Sequence, residues 1–190
     1  MTMVDQRKIS IVTSPGKKYT GMIDVPNAAL RTTDLLNSGN VFWKDPSEKC
    51  LDDVILLYDV HLQLDDKVFR KFDKIQIKIS EIIFFYDEQE HFGDEREKKR
   101  ASLMLEKAME KMHTVNLITT MISNSFYEIT GNFHGLIKKK SKDKFIPLTS
   151  VTIQEIYKTQ GQWHKKEIAL PYKFIGISNG HIESITTSKP

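Results

Sequence analysis

The stretch Val54-Ile55-Leu56-Leu57-Tyr58-Asp59-Val60-His61-Leu62-Gln63 decides how this chain is read. It is apolar at its start, rich in β-branched residues and then alternating, so it predicts a half-buried β-strand. Phe145-Ile146-Pro147-Leu148-Thr149-Ser150-Val151-Thr152-Ile153-Gln154 follows the same plan 91 residues later. Ile77-Lys78-Ile79 and Ile168-Ala169-Leu170 stand at that same step of 91 residues, and the register sets Phe72 against Trp163 as two core aromatics. Tyr19-Thr20-Gly21-Met22-Ile23 resembles Phe133-His134-Gly135-Leu136-Ile137, and Ile9–Ser14 resembles Val115–Thr120. A stretch recurring with its neighbours in order predicts two related halves, each too small to bury much surface alone.

Outward from these strands, Ser14-Pro15-Gly16-Lys17 is turn chemistry between strands Ile9–Thr13 and Lys18–Val25. Arg31-Thr32-Thr33-Asp34-Leu35-Leu36-Asn37 predicts a short helical turn or loop. Ser38 to Asp53 predicts a surface excursion carrying Phe42 and Trp43. Strands follow over Val54–Leu64, Phe69–Ile79 and Ile82–Tyr86. In the second half they fall over Val115–Ile122, Phe126–Lys138, Phe145–Tyr157, Trp163–Leu170, Phe174–Ser178 and Ile182–Thr187.

Between the halves the pattern changes period. Ala101, Met104, Leu105, Ala108 and Met112 form one apolar stripe at steps of three and four, behind Asp94 and Glu97 at capping-box spacing. This predicts an amphipathic helix over Asp94–His113. Its Met-bearing stripe suits burial between the halves, with a partner groove as the other use.

These elements resemble the Sm-like (Hfq-type) fold. The residues that carry the likeness are the hairpin ending Tyr19-Thr20-Gly21-Met22-Ile23, the long strand Val54–Leu64, the alternating strand Ile75–Ile79 and the closing strand Ile82–Tyr86. Arg31–Asn37 also looks like an element of bacterial proteins that carry a small Sm-like domain. The resemblance implies a mainly β chain: a first small barrel over 1–90 with a loop insertion at 26–53, a linking helix over 91–114, and a second barrel over 115–190. It implies open edge strands that join neighbours, hence a homo-oligomer or a protein partner. It does not bring RNA binding with it, because function resides in sites rather than in folds.

The totals narrow the function classes. With 28 basic and 25 acidic residues the net charge is +3, too small an excess to imply nucleic acid without local clustering. Clustering does occur at Lys138-Lys139-Lys140-Ser141-Lys142-Asp143-Lys144. That turn either grips the phosphates of single-stranded RNA or DNA, with Phe133 and Phe145 as flanking rings, or is a solvated turn that blocks edge pairing. The second candidate surface is the loop set Arg31, Asp34, Asn37, Phe42 and Trp43, since aromatics in loops mark contact surfaces. Cys50, the single cysteine, permits no internal disulfide. The six histidines are scattered, Gly16-Lys17-Lys18 lacks the leading glycine of a phosphate loop, and Asp52-Asp53 and Asp65-Asp66 flank a strand as turn residues. No cofactor, metal or catalytic site is expected. The polar start of the chain and strand-length apolar runs predict a cytoplasmic protein without a membrane span. The reading is a non-catalytic binding or assembly module, with single-stranded RNA or DNA binding as the alternative.

Overall fold

The computed structural model describes residues 5–26, 31–38, 53–65, 67–89, 112–134 and 144–188. The chain is mainly β, as its period-two segments require. Its strands are β1 (Asp5–Ser14), β2 (Lys17–Val25), β3 (Val54–Leu64), β4 (Lys67–Lys78), β5 (Phe84–Asp87), β6 (Met112–Thr119), β7 (Ser125–His134), β8 (Phe145–Thr159), β9 (Gln162–Ile168), β10 (Phe174–Ser178) and β11 (Ile182–Ser188). Among the described residues a short helix, α1 (Thr32–Ser38), lies between β2 and β3. Single 3-10 turns, Ile79–Glu81 and Asn179–His181, follow β4 and β10.

The eleven strands of the described residues belong to one antiparallel sheet, in the order β11-β6-β7-β8-β10-β5-β1-β2-β3-β4, with β9 also on β8. Of the expected pair of small barrels, the mainly β class stands, in one open sheet. The order does not return on itself. β5 pairs with β10, Gly176 opposite Phe85 and Ile177 opposite Phe84, so a strand from each half of the chain satisfies the other's edge groups.

Local chemistry sets the shape of each part. Pro15 and Gly16 make the β1–β2 turn, with Gly16 at φ 70°. The β2–β3 register slips between Thr20 and Met22, while Asp59 sits at φ 48°. A Cβ on Gly21 would lie 2.8 Å from the Tyr58 carbonyl oxygen, so only glycine lets the strands cross there. The β7–β8 pair slips in the same way between Thr130 and Asn132, with Ser150 at φ 52°. Gly131 there lies against Thr149 and Val151.

β4 runs along the whole of β3, Val54 opposite Lys78 through Leu64 opposite Lys67. β8 carries two strands along its length, β10 on Phe145–Thr149 and β9 on Ile153–Thr159. The Ile79 N–H donates to the Asp53 carbonyl, and the Asn179 N–H to the Lys144 carbonyl, both at 2.9 Å. After these turns β5 pairs with β1 and β11 with β6.

The apolar residues gather in two clusters. Ile9, Ile11, Leu35, Leu36, Ile55, Leu57, Val60, Ile77 and Phe85 form the first. Val12, Phe84, Tyr86, Val115, Leu117, Leu148, Val151, Ile175 and Ile177 form the second. Alternation in β5 sends Phe85 to one cluster and Phe84 and Tyr86 to the other. Phe85 meets Phe145 edge to face at 5.1 Å, and Phe84 meets Tyr127 in the same manner at 5.1 Å. Each such buried ring contributes about 2 kcal/mol by removal of apolar area from water.

The predicted helix over Asp94–His113 overlaps the description only at Met112 and His113. Both belong to β6, where pairing with β7 takes them as strand; the rest lies outside the described residues. The pairing of Phe72 with Trp163 as core aromatics also changes. Phe72 is half-buried opposite Val60, whereas Trp163 is opposite Lys158 and 51% exposed.

Candidate functional site

Of the loop set read as an interaction surface, Arg31, Asp34 and Asn37 fall among the described residues. Arg31 and Asp34, one helical turn apart, form a two-pronged ion pair at 2.6 and 2.9 Å on the exposed side of α1. Asn37 donates from Nδ2 to the Phe145 carbonyl at 2.9 Å and accepts the Phe145 N–H at Oδ1 at 2.8 Å. Its amide thus pins α1 to the first residue of β8. Phe42 and Trp43 lie outside the described residues, as do Lys138, Lys139, Lys140 and Lys142. Lys144 is exposed and reaches Asp53 at 3.3 Å. Of the two rings proposed to flank the lysine turn, Phe145 is buried in the first cluster and Phe133 packs partly against the second.

Residues not singled out by sequence lock the first half together and tie it to the second. Arg7 is buried at 3% exposure and donates from Nη1 to Thr32 Oγ1 at 2.8 Å; Thr32 in turn donates to Asp87 at 2.6 Å. Ser10 bonds both Thr20 and Glu88. His181 Nε2 lies 2.8 Å from the Ser80 carbonyl, linking the two 3-10 turns. Arg7 is the buried charge among them, and loss of the Thr32 hydroxyl would leave its Nη1 without this acceptor.

A cleft of about 350 Å³ opens beside the second cluster, where Val12, Phe84, Tyr86 and Tyr127 meet the β1–β2 turn and the β8–β9 hairpin. Lys17, Lys18 and Lys166 line it together with Asp65, Glu155 and Glu167, so no single sign of charge is focused there. Among the described residues no three His, Cys, Asp or Glu side chains gather to hold a metal ion. No helix among them is long and apolar enough to cross a membrane.

What the sheet does present is open edges. β4 has β3 on one side, β11 has β6 and β9 has β8; among the described residues no strand covers the other side of any of the three. β4 carries Lys67, Arg70, Lys71, Lys74 and Lys78 with Asp73. On β11 every residue from Glu183 to Thr187 is exposed, including Ile185 at 41%. The signal for an edge is readable in part. Repeated lysines along a strand mark one that is kept from random pairing.

No family model matches the chain, and neither a curated protein nor a solved structure matches it.

Proposed function

We propose that the chain is a tandem of two copies of one small-barrel strand plan, Sm-like in its order, and that it works as a non-catalytic assembly module through its sheet edges. The order β5-β1-β2-β3-β4 answers to β11-β6-β7-β8 with β9 and β10 together in the place of β4. The bulges at Gly21 and Gly131, the left-handed residues Asp59 and Ser150, and the two 3-10 turns fall at matching points. The observation that carries the reading is the β5–β10 pairing. The two halves associate by strand addition inside one chain, and the outer counterparts of those strands, β11 and the last residues of β4, lie on open edges.

The test is light scattering of the purified protein at low and at molar salt. Particles heavier than the 22.0 kDa chain at both salts are expected. A monomer at high micromolar concentration overturns the proposal.

A second reading, single-stranded nucleic acid, draws on the β8–β9 hairpin. There Lys158 lies 5.7 Å over the half-open ring of Trp163, which is packed against Phe126. An open ring beside lysines suits base stacking and phosphate contact. It requires oligonucleotide binding that falls steeply with salt and falls again on replacing Lys138–Lys144 lysines with glutamine.

A further inference from the structure

Two rows of side chains, one from each half of the chain, line the cleft beside the second cluster. Phe84, Val12, Lys18 and Gln63 stand opposite one another in turn across β5, β1, β2 and β3, so they share one face of the sheet. Tyr127, Glu155 and Lys166 do the same across β7, β8 and β9. All seven line the cleft. Phe84 and Tyr127, buried and edge to face at 5.1 Å, are the inner ends where the rows meet. The outer parts are polar, and exposed Asp65 and Glu167 add to them.

Two observations point to an occupant. Charges of both signs line one cleft without neutralising each other: Lys18, Asp65 and Glu167 form no ion pair among the described residues. In addition, Gln63 Oε1 is buried and accepts no hydrogen bond among them. Native structures leave few acceptors in that condition. The carboxylates of Asp65, Glu155 and Glu167 repel a phosphate or other polyanion. A purely apolar molecule would take water from the charged groups and return no bond. A zwitterion answers both signs, and Ile168 and Ala169 offer it an apolar flank. A volume of about 350 Å³ stands at the low end of small-molecule sites, which span about 300–1,000 Å³. We propose that this cleft binds a small zwitterion, an α-amino acid or dipeptide with a compact apolar side chain. Its carboxylate lies toward Lys18 and its ammonium toward Asp65, Glu167 and Gln63. The site uses none of the open edges and does not rest on the assembly reading.

Calorimetric titration of the full chain tests this with leucine, with the dipeptide alanyl-leucine and with N-acetyl-leucine amide, which lacks both charges. One or both zwitterions bind with a Kd below about 1 mM, and the blocked compound binds at least about tenfold more weakly. Binding of leucine alone marks a free amino acid as the ligand, and binding of the dipeptide alone marks a peptide. Lys18→Gln and Asp65→Asn each weaken binding about tenfold. Asparagine tolerates the φ of 46° at residue 65, so the turn is kept. Lys173→Gln, outside the cleft, leaves the Kd unchanged. Gln63→Met weakens binding about threefold yet does not lower the Tm of the free protein, since the oxygen it removes has no donor there. The proposal is overturned if neither zwitterion binds at about 10 mM, or if the blocked compound binds as well as its parent. It is equally overturned if Lys18→Gln and Asp65→Asn melt normally and keep the wild-type Kd. The blocked-ligand comparison uses the wild-type chain and so holds whether or not a variant folds.

Discussion

Replacing Gly176 with alanine tests whether the β5–β10 joint holds the molecule together. A methyl group there would meet Phe85 Cζ at 2.3 Å and Cε1 at 2.4 Å. Ordinary contact begins more than an ångström further out, and the ring cannot swing aside. It is fully buried and held edge to face by Phe145. Alanine in a strand otherwise gains about 0.5–1 kcal/mol over glycine through lower chain entropy. Overpacking costs about 1–3 kcal/mol, and an overlap this deep puts the cost in the upper part of that range. The net expectation is a loss of about 1–2 kcal/mol, which for a chain of this size lowers Tm by about 2–8 °C. The assay is urea unfolding followed by circular dichroism, with Gly176→Ala, Phe85→Leu and the double variant compared. Leucine removes the clashing end of the ring, so the double variant should recover about 1 kcal/mol relative to the sum of the singles. A Gly176→Ala midpoint at or above wild type, or strict additivity in the double, refutes the reasoning.

Asn37→Ala removes both bonds to the Phe145 backbone and should cost about 1–3 kcal/mol in urea titration. Asn37→Asp should cost at least as much, since a carboxylate then faces the Phe145 carbonyl. Thr33 is 1% exposed with Oγ1 unpartnered among the described residues, so Thr33→Val should leave stability unchanged or raise it by up to about 1 kcal/mol. Thr32→Val, which strips a bonded hydroxyl from Arg7 and Asp87, should lower stability by about 1–3 kcal/mol in the same titration. Ser150 sits at φ 52°, so Ser150→Gly should be neutral within about 0.5 kcal/mol while Ser150→Val loses about 1–2 kcal/mol by thermal melting.

Much of the strand pattern was legible because burial on a sheet writes itself with period two. Ile75 and Ile77 alternate with polar Gln76 and Lys78, and both fall on β4. The likeness of Val54–Gln63 to Phe145–Gln154 was legible because both stretches carry a bulge-side residue, Asp59 or Ser150, at the same place. The return strand was not. The β8–β9 hairpin runs on to Thr159 before turning, and 169–173 interrupt the strands beside β8, so a constant step of 91 residues cannot hold. The Val151 N–H bonds the Lys173 carbonyl, whereas Val60 sits opposite Phe72. On the tandem reading the glycine match moves as well. Ile129-Thr130-Gly131 marks the second bulge, not Gly135, although its likeness to Tyr19-Thr20-Gly21 was there to be read. The role of Asn37 was beyond reach, because its partner lies 108 residues away. Gly176 carried a hint, a lone glycine between Ile175 and Ile177 in a strand, which signals close approach of a neighbour.

Strand β5 has no side turned to water. One row of its rings completes the first cluster and the other row completes the second, so neither lobe owns a full wall without it. Loosening one lobe exposes the other. The protein should accordingly melt in a single step, and the amides of Phe84–Tyr86 should exchange with deuterium only when the whole molecule opens.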